Sequence, residues 1–337
     1  MHDFMWLALM LFAIMVRGTE GDNLEPQYWV SKLVDDDISS ITHLASYNGS
    51  VYMGARNRLF KLDSNLTVNQ VVRTGPETIF SSRDGPIDNF NKVLIVNHFN
   101  DELIICGNAY DGSCDSRQLN DISVIVRKTS ERIVLDEGFA STVAVIVKNL
   151  KEINFLLIGV SSIRNSRYRN DVPVIASRHL EDNRFLEIAV SLNCTFPKSS
   201  YIQTVMGSSY SNAFVHGFTT GDYTIFITRR KETILPESPV VSNLVRFPRY
   251  SISASYYKNY SFGCPDIPLQ CFDSEGNLYN LVQAAYVTRL GSELAAELGI
   301  GVKYDVLFAT FTSTNLPGSV ICRYTLGYIH AKSVAVI

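Results

Sequence analysis

The chain has 337 residues, 46% hydrophobic and 19% charged, with 30 basic against 33 acidic side chains and a formal net charge of -3. That balance excludes a disordered chain and leaves no field strong enough to gather nucleic-acid phosphates non-specifically. Even without a removable leader, roughly 316 residues remain, enough for one large architecture or two modest ones.

The chain is apolar from Phe4 to Val16, well short of the about 20 residues a helix needs to cross a bilayer. Arg17-Gly18 and the polar stretch Thr19 to Asp22 follow. The segment therefore reads as a signal peptide over residues 1–21, cleaved after small Gly18 or Gly21, with 22–337 as the mature chain. His2 and Asp3 stand where Lys or Arg is usual, which keeps a buried N-terminal helix as the other reading. No later segment looks transmembrane. Glycosylation sequons at Asn48, Asn65, Asn193 and Asn259 agree with an extracellular life.

Six cysteines occur, and Cys106 and Cys114 frame Gly-Asn-Ala-Tyr-Asp-Gly-Ser. Two glycines there let adjacent strands turn, which predicts a local disulfide. No CxxC pair is present and the six histidines are scattered singly, so neither zinc nor any other cofactor is expected.

From Tyr28 onward, short apolar or alternating runs are separated by turn residues. They begin at Ile41, Val51, Leu59, Lys92, Leu103, Ser123, Thr142 and Phe155, and continue at Val174, Phe185, Tyr201, Ala213, Tyr223 and Val306. Asn48-Gly49 suits a two-residue hairpin, because both residues tolerate positive φ. Around Tyr223 the period is two, predicting Tyr223 and Ile225 inward with Thr224 and Thr228 outward. One segment reads as helix, with Ser292 as N-cap and Gly299 just past the end. Many short strands without βαβ alternation predict an all-β fold: a sandwich pair, a large barrel or a β-propeller, of which the propeller scales best with this length.

Catalytic vocabulary is missing: there is no GxSxG, HExxH, P-loop or GxGxxG after a strand. A propeller glycosidase stays open because its carboxylates need no linear motif. The densest acidic run, Asp35-Asp36-Asp37, reads first as a solvated loop, and Arg229-Arg230-Lys231-Glu232 as the polar tip of a hairpin.

Several ordered stretches carry a family likeness. Thr42-His43-Leu44, Val51 to Leu62, Thr74-Gly75-Pro76, Asn91 to Val96, Leu103 to Cys114, Pro173 to Arg178, Leu281 to Tyr286 and Cys322-Arg-Tyr-Thr-Leu together resemble the sema domain of plexins. Semaphorins share that domain, but Asp111-Gly112-Ser113-Cys114 is closer to the plexin form. The resemblance implies a seven-bladed β-propeller at the outer end of a cell-surface receptor, with semaphorins as protein ligands and axon-guidance or cell-migration signalling as the outcome. A receptor homodimer or co-receptor is a further partner it implies, and a semaphorin-type ligand is the alternative reading.

The same resemblance pairs Cys106 with Cys114 and Cys264 with Cys322, and leaves Cys194 and Cys271 either bonded to each other or free. A cysteine expected near Phe247 is replaced. Seven four-stranded blades need about 28 strands and about 18 to 20 are countable, so the chain reads as a truncated propeller of four to five blades. The semaphorin-facing loop of the third blade maps to Ser162 through Asp171, giving Arg164, Arg167, Tyr168, Arg169 and the strand at Phe185 as ligand-binding candidates.

Overall fold

The computed structural model describes residues 40–77, 85–138, 140–149, 151–161, 172–191, 194–195, 201–202, 210–232, 239–249, 266–299, 301 and 304–326. The leader at 1–21 and the acidic run at 35–37 lie outside the described residues.

Five antiparallel sheets follow one another along the chain. The first is β1 (Ile41–Tyr47), β2 (Ser50–Ala55), β3 (Arg58–Leu62) and β4 (Val68–Arg73). The second is β5 (Asn91–Asn97), β6 (Glu102–Gly107), β7 (Cys114–Gln118) and β8 (Ile125–Lys128), and the third β9 (Thr142–Lys148), β10 (Asn154–Val160), β11 (Ile175–His179) and β12 (Ile188–Ser191). A small hairpin, β13 (Cys194–Thr195) with β14 (Tyr201–Ile202), precedes the fourth sheet of β15 (Tyr210–Thr220), β16 (Tyr223–Glu232), β17 (Val241–Pro248) and β18 (Asp266–Pro268). A second hairpin, β19 (Cys271–Phe272) with β20 (Leu278–Tyr279), leads into β21 (Leu281–Arg289), helix α1 (Ser292–Glu297), β22 (Asp305–Thr312) and β23 (Ser319–Thr325). The first strands of successive sheets, β1, β5, β9, β15 and β21, lie side by side. The sheets therefore fan about a common axis, and the architecture is a five-blade β-propeller arrangement.

Local chemistry sets the ends of these elements. Asn48 and Gly49, at φ 47° and 74°, make the tight β1–β2 turn that Asn-Gly favours. Helix α1 is capped by Gly291 in extended backbone, so Ser292 is its first helical residue rather than its N-cap. Gly299, at φ 64°, closes the helix with its N–H on the Ala296 carbonyl.

The core lies in the seams between sheets. Tyr52 and Leu59 of the first blade pack with Leu94, Leu103 and Ile105 of the second. Phe155 and Leu157 of the third meet Phe214, Phe226 and Phe247 of the fourth, with Phe226 edge-on to both phenylalanines. Phe247, near which a cysteine was expected, is 2% exposed within this seam. Because each inner sheet has a neighbour on either side, period two in the sequence does not mean one wet face. Thr224 and Thr228 are buried alongside Ile225, while Tyr223 is only half-buried, correcting the inward and outward assignment.

Asparagine side chains stitch the first blade to the second. Asn57, in the β2–β3 turn, accepts the Asn89 N–H at 2.7 Å and donates to Asp88 Oδ1 at 2.6 Å. Asn89 donates to the Thr74 carbonyl and accepts the Ala109 N–H, while Asn108 accepts the Phe90 N–H at 2.6 Å and donates to the Asp88 carbonyl. The crossing strand segment thus has its main-chain polar groups satisfied without a ladder. Gly107 makes this approach possible: a Cβ there would sit 2.0 Å from Asn89 Oδ1. Gly107→Ala is expected to lower unfolding free energy by about 1–3 kcal/mol, as overpacked buried sites do, measured by urea denaturation; an unchanged midpoint would refute this account of the seam.

Candidate interaction surface

The structure settles the cysteine expectations in part. Cys106 and Cys114 face each other across β6 and β7 and form a disulfide, with the intervening turn using Asp111 and Gly112 at positive φ. Cys322, however, pairs with Cys271 and not with Cys264. The β19–β20 hairpin packs against β23, Tyr324 donates to the Gln270 carbonyl at 2.7 Å, and this brings the two Cα atoms to 5.9 Å, within bonding reach. Cys271 is therefore neither free nor bonded to Cys194. Cys264 lies outside the described residues.

Asn48 and Asn65 are exposed in the β1–β2 and β3–β4 turns, open to an oligosaccharide. Asn193 and Asn259 fall outside the described residues, as do Arg164, Arg167, Tyr168 and Arg169. Phe185 is described, and it is not on a strand: β12 begins only at Ile188. Its ring is 8% exposed and packs in the seam between the second and third blades. The guanidinium of Arg127 covers it, 4.4 Å from the ring centroid. The Arg229 to Glu232 cluster forms the end of β16 remote from the Gly221-Asp222 turn, where Arg229 and Arg230 pair with Ser242 and Val241 of β17.

Arg127 organises this seam, which sequence reasoning missed. From the edge strand β8 it pairs with Glu102 of β6 and with Asp182 at 2.9 Å, and donates to the Leu180 carbonyl at 3.0 Å. Arg178 of β11, 1% exposed on its side chain, donates to Glu131 at 2.9 Å and to the Leu186 carbonyl at 2.8 Å. These buried cations are paired and hydrogen-bonded, as burial requires. They hold the outer edge of the third blade, next to Phe185, against the second.

A second feature lies at the rim between the first two blades. A cleft of about 310 Å³ opens between β4 and the β7–β8 edge, its walls including Arg73, Asp115, Arg117, Ile125 and Lys128 and its floor Asn89 and Asn91. A bulge between Ser116 and Arg117 places Ile125 opposite Arg117, so Ile125 and Lys128 share the cleft face while Arg127 turns to the third blade. Asp115 is bound to Arg117 by two hydrogen bonds of 2.8 and 3.1 Å, and burial raises its pKa above the usual carboxylate value despite that partner. Among the described residues it is the only carboxylate lining the cleft, and they assemble no acid/base pair there. Among the described residues, no group of His, Cys, Asp and Glu could hold a metal ion.

No family model matches the chain. Plexin-A2 of Mus musculus is 28% identical over 335 residues, covering 89% of this chain, and plexin-A3 of Rattus norvegicus is 27% identical, covering 98%. Among solved structures, the plexin A4 full extracellular region superposes over 88% of the chain with a TM-score of 0.69 at 23% identity, covering 35% of that structure. Drosophila semaphorin 1a, extracellular domains 1-2, superposes over 86% with a TM-score of 0.57 at 16% identity, covering 54% of that structure. The chain is similar to plexins along most of its length, and its fold is that of the plexin and semaphorin sema domains. The chain spans 17% and 19% of the lengths of those two curated plexins.

Three titratable groups, His43, Lys92 and His216, lie on the inner strands β1, β5 and β15. Burial, reinforced by the nearby Lys92 ammonium, lowers the His43 imidazole to about 4, and burial lowers His216 to about 4. Lys92 itself is lowered by burial to about 8 while its ammonium donates to the Gly138 and Ala140 carbonyls. Both histidines are neutral when folded and must be charged on unfolding below pH 6.5, so their contribution is complete above 6.5 and is lost as pH falls toward 4. Lowering the pH from 7 to 5 is expected to remove on the order of 2 kcal/mol per histidine, read as a falling midpoint in thermal melts; a flat profile over that range would contradict it. Replacing Cys271 and Cys322 together by serine is expected to cost about 4 kcal/mol on the chain-entropy view of a crosslink spanning this loop, checked by urea unfolding beside non-reducing peptide mapping.

Proposed function

We propose that the chain is the extracellular, ligand-facing portion of a plexin-like receptor and that it binds semaphorins over blade rims and loops. The observation that carries the reading is the ordered likeness to plexins along most of the chain, joined to a five-blade fan that superposes on a plexin extracellular region. Two disulfides suit an oxidising compartment, and exposed sequon asparagines at 48 and 65 suit passage through the secretory pathway. The leader at 1–21, a sema domain over 22–337, a cell-surface location, pairing with a second receptor copy or co-receptor, and a role in axon-guidance or cell-migration signalling all belong to this proposal. A glycosidase is not favoured, since the rim cleft presents one carboxylate already committed to arginine.

Binding of this kind needs no covalent chemistry. A few arginine and aromatic anchors in a complementary interface supply most of the energy. Arg164, Arg167, Tyr168 and Arg169 are the proposed anchors. Arg167→Glu with Arg169→Glu in a complete ectodomain is expected to weaken semaphorin capture at least about tenfold by surface plasmon resonance, as loss of central charged contacts does. Unchanged capture would discard this loop, and absence of capture by the unaltered protein would discard the receptor reading.

A further inference from the structure

The cleft between the first two blades has charge to spare. Asp115 and Arg117 neutralise one another. Arg73 and Lys128 are exposed and, among the described residues, form no ion pair: Arg73 Nε donates to the Gly75 carbonyl, and the Lys128 ammonium lies over the Tyr110 ring at 5.7 Å. Among the described residues that line the cleft, three cations, Arg73, Arg117 and Lys128, therefore face one carboxylate, Asp115, which leaves two positive charges in excess.

The lip has a different character. Val124, Ile125 and Val126 are 39%, 48% and 44% exposed in one run, and Tyr110 is 41% exposed beside the cleft. Consecutive exposed β-branched residues at a cation-lined recess are unusual for a plain solvated rim, because exposed apolar groups gather where another surface covers them. A sulfated sugar would use the cations and leave the apolar lip wet. An acidic segment flanked by aliphatic residues satisfies both.

We propose that this cleft is a docking site for a mixed acidic and aliphatic segment of a protein partner, one carboxylate seated between Arg73 and Lys128 and its apolar neighbours covering Val124 to Val126. The site lies on the first seam and does not rest on the semaphorin reading, which concerns the third blade. Seating the carboxylate supplies the missing counter-charge, and covering the lip removes apolar surface from water.

The test uses the full chain and an end-blocked octapeptide alternating Glu and Val, with its Gln-for-Glu counterpart, read by fluorescence polarisation. Saturable binding by the Glu peptide is expected, at least about tenfold weaker for the Gln peptide and for the Arg73→Glu, Lys128→Glu double variant, and weakened by added salt. Both substituted side chains are exposed, and an unaltered thermal melt verifies folding. Val126→Ser at the lip is expected to weaken the Glu peptide severalfold without changing the salt slope. Equal binding of both peptides, or binding indifferent to the double variant, overturns the proposal. So does an inert Glu peptide, with or without capture of a heparin-derived tetrasaccharide; such capture would mark the cleft as a glycan site.

Discussion

The middle strands of the inner blades carry buried side chains toward both faces, and such a sheet needs a neighbour on each side. Phe155 and Leu157 of β10 go to the fourth blade while Leu156 and Ile158 of the same strand go to the second. Apolar area removed from water is the dominant favourable term in folding. Here it can be realised only if successive sheets stack, which is why the first strands converge and the chain fans about an axis. The propeller follows from a packing requirement that no single blade meets alone.

Stacking leaves polar main chain to be satisfied wherever the chain passes from one blade to the next. At the first seam asparagines do this, substituting side-chain amides for the missing ladder, and glycines keep room for them. At the second seam Arg127 and Arg178 do it with charge, each binding a carboxylate and a carbonyl. The Lys92 ammonium performs a similar task nearer the axis, holding the Gly138 and Ala140 carbonyls ahead of β9. These groups decide where the rims stand relative to one another, and so they set the shape of any surface that a partner meets.

Much of this was legible in the sequence. Alternating runs, the Asn48-Gly49 turn and the glycine-framed Cys106–Cys114 segment read directly, because each depends on neighbours close in the chain. What failed depends on distance. Thr224 and Thr228 looked like outward residues because alternation reports a difference between faces, not whether a second sheet covers the polar one. Cys271 and Cys322 could not be matched from spacing, since the match is made by the β19–β20 hairpin folding onto β23. Phe185 sat in an apolar run that looked like a strand, yet its ring serves the seam beneath Arg127. The cleft was invisible because Arg73 and Lys128 stand 55 positions apart in the sequence and meet only when two blades touch.

The bulge in β8 has an effect on the fate of the unbound molecule. A run of aliphatic residues on an outer strand is the kind of open border along which chains zip together into fibrous stacks. Val126, the extra residue, has no opposite number on β7, so the border is kinked and its free amides fall out of step with those of any straight strand approaching it. The rim can thus remain sticky toward a shaped partner while offering other chains a poor template for self-assembly.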